Sequence, residues 1–180
     1  GGVAEPRVTD AGTAETLLRE ALEAWAYARS SLVDEVEAIP AGRFDFRPAP
    51  ESRTLAELVL HVVRSGMMMA GELSRPDGDF TRQDFEAHLR EHASGVEGAV
   101  EKEELLRVLR DTHAEGERRL RAAGAEHMLR PIRQFDGSHS SRLGWMHHGI
   151  GHEEYHRGQV ALYARMMGLV PALTRRIHGE

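Results

Sequence analysis

The sequence predicts an all-α fold, an up-down four-helix bundle with a short helix inserted between its second and third helices. Three observations support this prediction. Four long segments carry apolar residues at helical spacings, proline and glycine residues separate these segments, and no segment alternates as a strand does. The chain has 180 residues with 41% hydrophobic content, which is enough for one sizeable core. We therefore expect a single domain over residues 1–180.

The first two long helices are predicted over residues 13–39 and 54–73. In the first helix, apolar side chains recur three, four or seven residues apart on one face, at Leu18, Leu22, Trp25, Leu32, Val36 and Ile39. Pro40 ends this helix, and an irregular connection follows. Thr54 and Glu57 form a capping-box signature at the start of the second helix. The second helix is apolar on most sides, so we expect several neighbours to bury it.

The remaining helices follow two less regular segments. A short charged helix within residues 80–92 is predicted as the insertion, and a third long helix is predicted over residues 102–123. Residues 130–137 are expected to form an extended loop with a turn. The fourth long helix is predicted over residues 140–167, with Ser140 as its N-cap.

Composition narrows the classes of function. The formal charge of −6 and the isoelectric point near 6.0 give no electrostatic drive toward nucleic acid. The sequence contains neither a candidate membrane span nor a signal peptide, so we expect no membrane role and a cytoplasmic protein. There are no cysteines, which excludes disulfides and thiolate metal sites. The eleven histidines make imidazole the candidate metal ligand.

A histidine pair in the fourth helix is the strongest candidate for a binding site. The residues within about 40° of His156 around the helix are Trp145, Gly149, His152, Val160, Tyr163 and Met167. His152 and His156 are therefore expected inside the apolar stripe, with His148 on its flank and His147 opposite. Rings at positions i and i+4 project together and can bind one metal ion. A divalent cation would also satisfy two buried imidazoles that would otherwise repel when protonated.

The spacing alone leaves two questions open. A histidine on an apolar face is often an ordinary core residue, and His88 and His92 have the same spacing on a helix that we expect to be solvated. A third ligand must come from another helix. His61 in the second helix and His113 in the third are both candidates, and helical periodicity does not choose between them.

Three stretches, in this order along the chain, resemble the DinB/YfiT-like metal-binding four-helix bundles. They are F46-R-P-A-P-E-S-R-T-L-A-E-L-V-L-H61-V, then R133-Q-F-D-G137, then H148-G-I-G-H152-E-E-Y-H156-R-G-Q159. The resemblance covers roughly residues 15–170. It implies a metal site formed by His61 from the second helix and by His152 and His156 from the last, and it implies a homodimer.

Three neutral imidazoles leave positions on the cation for water or substrate, as in catalytic sites. Zinc and nickel both fit nitrogen ligands. Glu57 and Ser65 lie one turn on either side of His61 and are candidates to orient its ring; the alternative is that they only face solvent.

Three functions remain open. Relatives in this superfamily include enzymes that transfer a low-molecular-weight thiol to a small-molecule substrate. For such a thiol S-transferase, Arg64, Arg157 and Arg165 are candidate clamps for a substrate carboxylate, although a surface-charge role is favoured for each. The second hypothesis is a metal-dependent hydrolase with Glu153 or Glu154 as general base, although both point away from the ligand stripe. The third is a non-catalytic metal-binding protein of a stress response.

Overall fold

The computed structural model describes residues 11–180, and residues 1–10 of the predicted domain lie outside it. In the described range the chain forms seven α-helices and one small sheet, in the order α1 (Ala11–Glu37), α2 (Leu55–Ser74), α3 (Phe85–His92), α4 (Lys102–Ala123), α5 (Ala125–Leu129), β1 (Pro131–Arg133), β2 (His139–Ser141), α6 (Arg142–Met166) and α7 (Ala172–Ile177). A short 3-10 helix over Ala41–Arg43 follows α1. No helix of residues 11–180 is both long enough and apolar enough to cross a bilayer.

The four long helices form the predicted bundle. α1 packs mainly against α4 and α6, and α2 packs against the same two helices, so α1 and α2 lie on a diagonal. α2 and α6 run in opposite directions. The Tyr163 hydroxyl, late in α6, donates to the Arg53 carbonyl at 3.0 Å, and Arg142, at the start of α6, donates to the Leu73 carbonyl at 3.1 Å. The path of the chain thus refines the predicted up-down order, since consecutive helices α1 and α2 are not direct neighbours.

The boundaries predicted for the long helices lie within two residues of those observed. The capping box at the start of α2 is confirmed. The Thr54 hydroxyl accepts from the Glu57 backbone N–H at 3.1 Å, and the Glu57 carboxylate accepts from the Thr54 N–H at 3.3 Å. These bonds satisfy two backbone donors that the first turn of a helix leaves free.

The segment predicted as an extended loop over residues 130–137 is instead part of a β-hairpin. β1 pairs antiparallel with β2, with Ile132 opposite Ser140. In the turn, the Gln134 N–H donates to the Ser138 carbonyl at 2.7 Å. The hairpin was not predicted, because each strand has three residues, too few for an alternating pattern to emerge.

Two other boundaries differ from the prediction. The N-cap of α6 is Ser141, whose hydroxyl accepts from the Gly144 N–H at 3.0 Å. Ser140, the predicted N-cap, is instead part of β2, where it pairs with Ile132. The inserted helix begins only at Phe85, because Asp84 caps it. Both segments lie between bundle helices and position the aromatic residues described below.

Buried apolar side chains form two clusters along the bundle. The cluster toward the start of α2 includes Leu32, Val36, Leu55, Val59, Leu105, Leu109 and Val160. The cluster toward the end of α2 includes Leu18, Leu22, Trp25, Leu73, Phe80, Leu120 and Met146. All six apolar positions that predicted the first helix are buried. Polar side chains lie between the two clusters.

Arg29 and Glu153 form an ion pair in this polar layer. Both side chains are 3% exposed, and Arg29 Nε and Nη2 each donate to one carboxylate oxygen of Glu153 at 2.9 Å. Trp25 Nε1 donates to the same carboxylate at 3.2 Å, and Arg29 Nη1 donates to the Leu109 carbonyl at 2.8 Å. A Cβ at Gly66 would lie 2.8 Å from Arg29 Nη2, so the glycine makes room for the guanidinium. The pair thereby ties together α1, α4 and α6.

We predict that Arg29→Met lowers the free energy of unfolding by about 3–5 kcal/mol, because it leaves the buried Glu153 carboxylate without its cation. The double variant Arg29→Met/Glu153→Leu should recover much of this loss, since neither charge then remains. Urea unfolding of the metal-free protein, followed by circular dichroism, measures both.

The matched control is Arg19→Met, which breaks the exposed pair between Arg19 and Glu23. It should change stability by at most about 0.5 kcal/mol. A loss for Arg29→Met as small as that of the control would show that the buried pair does not hold the bundle together.

Candidate metal centre

Three histidine side chains meet between α2 and α6. His61 Nε2 lies 3.1 Å from His152 Nε2, and His156 Nε2 lies 3.0 Å from the same nitrogen. One ring nitrogen from each of the three lies within 4.8 Å of the other two. The structure thus brings together the three residues that the resemblance implies.

The antiparallel packing of α2 against α6 explains this meeting. His61 lies on the side of α2 that faces the HxxxH pair. The two helices approach closely at Gly149, about one turn before His152 in α6. A Cβ at Gly149 would lie only 2.3 Å from the sulfur of Met69. The absence of a side chain at Gly149 therefore lets α2 approach α6 near His152.

A hydrogen bond fixes the protonation of His156. Its Nδ1 lies 2.7 Å from the Gln159 side-chain oxygen, which can only accept, so Nδ1 carries the proton. The lone pair of His156 Nε2 therefore points toward the other two rings. Sequence reasoning assigned no role to Gln159, although it lies one turn after His156 on the same side of the helix.

Burial keeps the three rings neutral. It lowers the pKa of His61 from 6.5 to about 3, with a further contribution from the positive charge of Arg53. Burial and the neighbouring His156 lower the pKa of His152 to about 4. Burial also lowers the pKa of His156, against the opposing effect of its bond to Gln159. Neutral imidazole is the form that ligates a metal ion.

The spacing of these nitrogens fits a divalent cation. Zinc binds histidine nitrogen at about 2.0–2.1 Å, which in a tetrahedral site places adjacent ligand atoms roughly 3.3–3.4 Å apart. The two separations, 3.0 and 3.1 Å, are a few tenths of an ångström shorter, so a small outward shift of the rings would accommodate the ion. A cation between the rings would accept all three lone pairs, whereas hydrogen bonding within the cluster can satisfy only some of the nitrogens.

His113, the alternative third ligand, lies elsewhere. Its helix α4 is diagonal to α6 in the bundle. The ring packs edge-on against Trp25, with centroids 4.7 Å apart, and its Nε2 is 3.8 Å from the Glu117 carboxylate. The structure therefore places His61, and not His113, beside the pair.

The buried face of α6 is broader than the predicted stripe. It includes Met146, Ile150 and Glu153, which the prediction left outside. The spacing of apolar residues could not predict that Glu153 is buried, because Glu153 is charged. Its carboxylate is stable in the interior because it pairs with Arg29. His148 is exposed and stacks on Trp145 at 4.6 Å, and His147 is exposed.

The predicted orienting roles of Glu57 and Ser65 are not supported. Glu57 is exposed, and its carboxylate binds the Thr54 N–H and lies 3.6 Å from Arg47. Within residues 11–180, no hydrogen bond joins His61 to either residue. Ser65 instead lines a neighbouring pocket. The capping box explains the position of Glu57, because a residue at the third position of a helix turns back toward its start.

Two of the three arginines predicted to clamp a carboxylate are already paired. Arg157 donates to the Glu154 carboxylate at 3.0 Å, and Arg165 donates to the Thr174 hydroxyl at 2.9 Å. Arg64 is half-buried, and its Nε has no partner among the described residues. None of the three lines the pocket beside the histidines.

A pocket of about 220 Å³ adjoins the histidine cluster. His61 and His152 form part of its wall, and Glu153 and Trp25 also line it. Two further walls come from Phe85 in α3 and from Phe135 in the turn of the β-hairpin, with additional lining by Trp145, His148, Met68 and Met69. The cluster is therefore accessible from an aromatic cavity.

A second group of possible ligands surrounds Glu72, and it corrects the expectation that His88 and His92 are solvated. His88 is fully buried, and its Nε2 donates to the Phe80 carbonyl at 3.0 Å. His92 Nε2 donates to the buried Glu72 carboxylate at 2.8 Å. Arg82 donates to the same carboxylate at 2.6 and 2.8 Å. Because the guanidinium already neutralises Glu72, this group is a satisfied internal network that fixes α3 on α2.

We predict that the metal-free protein loses stability as the pH falls from about 7 to about 4. The folded-state pKa values of His61 and His152 lie below 6.5, so the unfolded chain binds more protons than the folded chain in this window. Acidification therefore stabilises the unfolded state relative to the folded state. His61→Leu should reduce the slope of unfolding free energy against pH, measured by urea unfolding in chelator. His147→Leu, an exposed site on α6, is the control and should not alter the slope. Equal slopes for wild type and His61→Leu would contradict this account.

The comparisons with known proteins place this geometry in a family. The model of the DinB superfamily matches residues 24–160. The DinB-like protein YjoA from Bacillus subtilis has 18% sequence identity and a TM-score of 0.62 over 83% of this chain and 92% of its own. YfiT from Bacillus subtilis, described as a probable metal-dependent hydrolase with an unusual four-helix bundle topology, has 14% identity and a TM-score of 0.62 over 94% of this chain and 95% of its own. No curated protein matches significantly. Since the family model spans most of the chain, the protein belongs to the DinB superfamily.

Proposed function

We propose that His61, His152 and His156 hold a divalent cation, zinc or nickel, and that the protein is an enzyme that transfers a low-molecular-weight thiol to a small-molecule electrophile. The observation that carries this proposal is the convergence of three neutral imidazoles, two of which, His61 and His152, line an aromatic pocket. Nitrogen ligands suit both metals, so the ligand set does not favour either one.

The pocket supports a catalytic role over a purely structural one. Structural zinc sites are closed by four protein ligands, whereas catalytic sites use three and keep a position for substrate. Here three imidazoles meet, and two of them, His61 and His152, also line the cavity. A substrate in the pocket would therefore lie directly against the ligand cluster. A non-catalytic metal-binding protein has no need of such a cavity.

The state of the carboxylates supports thiol transfer over hydrolysis. A bound cation lowers the pKa of a coordinated thiol, so the reaction needs no carboxylate base from the protein. A metal-bound water is less acidic than a metal-bound thiol and loses its proton only near pH 7, so a protein base assists hydrolysis more than thiol transfer. Both oxygens of Glu153 are held by Arg29. Arg157 binds one oxygen of Glu154, the other oxygen has no partner among the described residues, and Glu154 does not line the pocket beside the cluster. Neither carboxylate is therefore placed to act as a base in that pocket.

Hydrolysis is the second candidate, because the structurally similar YfiT is described as a probable metal-dependent hydrolase. At 14% identity this likeness concerns the fold. Activity of the metal-loaded protein on a panel of esters and lactones, abolished in His156→Ala, would favour hydrolysis over thiol transfer.

We predict that the purified protein binds one zinc or nickel ion per chain. His61→Ala, His152→Ala and His156→Ala should each weaken binding by at least about 100-fold, because each removes one of three ligands. Metal analysis after dialysis and titration calorimetry measure the stoichiometry and affinity.

The matched control for metal binding is His147→Ala, which removes an exposed histidine from the same helix. Its metal affinity should equal that of the wild type. Unchanged affinity in His61→Ala would contradict the proposed site. So would an equal loss in His147→Ala.

We predict that the metal-loaded protein conjugates chlorodinitrobenzene with at least one of glutathione, mycothiol and bacillithiol. The thiol sulfur forms a bond to the ring carbon, chloride leaves with its electron pair, and the thiol proton passes to solvent. Product absorbance measures the rate, which should fall to that of the uncatalysed reaction in chelator and in His152→Ala. Metal binding without conjugation by any of the three thiols would argue against the transferase.

A further inference from the structure

The pocket beside the histidine cluster is lined mainly by aromatic and other apolar side chains. Four aromatic side chains surround it, Trp25, Phe85, Phe135 and Trp145, and the side chains of Met68 and Met69 add further apolar contact. Its volume of about 220 Å³ exceeds the roughly 150 Å³ of an apolar cavity that binds benzene. The space therefore fits a molecule of one or two aromatic rings.

The charges around the pocket argue against an anionic ligand. No lysine or arginine is among the residues that line it. The carboxylate in its wall belongs to Glu153, and Arg29 and Trp25 already bind both of its oxygens. In the metal-free protein, an anion that entered the pocket would lose its hydration without meeting a lysine or arginine among the described lining residues, which is costly. A neutral ligand avoids this penalty.

The outer wall of the pocket comes from the segments inserted between the bundle helices. Phe85 belongs to α3 and Phe135 to the hairpin turn, and their ring centroids lie 6.0 Å apart. Both side chains remain partly exposed, at 39% and 38%. Phe135 also contacts Phe80 at 5.0 Å and Trp145 at 6.1 Å. These partly exposed rings present flat apolar surfaces at the mouth, which favours a planar ligand.

We propose that this pocket binds a neutral, planar aromatic molecule of one or two rings beside His61 and His152. The proposal rests on the proposed function in one respect: in the enzyme, this molecule is the electrophilic substrate. Binding itself depends on the shape and polarity of the pocket. It can therefore be measured in the protein freed of metal by chelator.

Tryptophan fluorescence provides a direct test, because both tryptophans of the chain line the pocket. The probes are 4-nitrotoluene, which is neutral, and 4-nitrobenzoate, which has nearly the same shape and a negative charge. In metal-free protein, 4-nitrotoluene should quench the fluorescence saturably, with an affinity at least about tenfold higher than that of 4-nitrobenzoate. Titration calorimetry provides an independent measurement of both affinities.

Two variants locate the binding site. Ser65→Phe places a ring in the pocket from α2 and should lower the affinity for 4-nitrotoluene at least tenfold. Phe135→Ala removes part of the outer wall at a side chain that is 38% exposed, and it should lower the affinity about threefold to tenfold. Leu162→Phe adds the same ring at an exposed position of α6 outside the pocket and is the matched control, with no change in affinity.

The outcomes separate this proposal from the proposed function. Non-saturable quenching, equal affinity for the two probes, or unchanged affinity in both pocket variants would overturn the aromatic pocket. If the protein binds 4-nitrotoluene selectively but fails to bind zinc or nickel when these are added, the pocket is supported and the proposed metal centre is overturned. Metal binding without selective binding of 4-nitrotoluene would support the metal centre and overturn the aromatic pocket.

Discussion

The buried pair of Arg29 and Glu153 is the contact on which the architecture of the site depends. It lies between the two apolar clusters of the bundle, where an unpaired charge would be severely destabilising. By binding both oxygens of Glu153, Arg29 occupies the carboxylate next in sequence to His152. The imidazole cluster and the aromatic pocket therefore lie beside a polar layer that is already satisfied. The ring nitrogens of the cluster, rather than the Glu153 carboxylate, are therefore available to bind a ligand.

The same principle of internal pairing applies to the second polar group, around Glu72. Arg82 and His92 donate to its carboxylate, and the Asp79 backbone N–H donates to it at 2.9 Å. These bonds hold α3 and the loop that precedes it against α2. Because α3 supplies Phe85, the network also positions one wall of the pocket. The histidine cluster and the Glu72 network thus differ in one respect. In the Glu72 network an arginine already neutralises the carboxylate, whereas no positively charged side chain of residues 11–180 binds the ring nitrogens of the histidine cluster.

Much of the fold could be predicted from the sequence, because helical periodicity and local signals determine it. The four long helices, the capping box at Thr54 and the inward direction of His152 and His156 follow from spacing within a single segment. The β-hairpin did not follow, because its strands are too short to show a pattern. The burial of His88 did not follow either, since it depends on the Phe80 carbonyl and on the packing of α3 against α2.

The partners of the site residues were harder to predict, because they come from distant parts of the chain. The choice between His61 and His113 depends on which helices are diagonal, and helical periodicity carries no such information. The pairing of Glu153 with Arg29 joins residues 124 positions apart. Gln159 is the exception, since its spacing of three residues from His156 places it within reach. A search for hydrogen-bonding residues one turn from each proposed ligand would have found it.

The most direct test of the central claim is an X-ray absorption spectrum of the zinc-loaded protein at the metal edge. The account predicts multiple scattering from three imidazoles, with nitrogen neighbours at about 2.0–2.1 Å, and at least one further light-atom ligand supplied by solvent. A spectrum with fewer than three imidazoles, or one in which carboxylate oxygens from the protein complete the coordination, would contradict it.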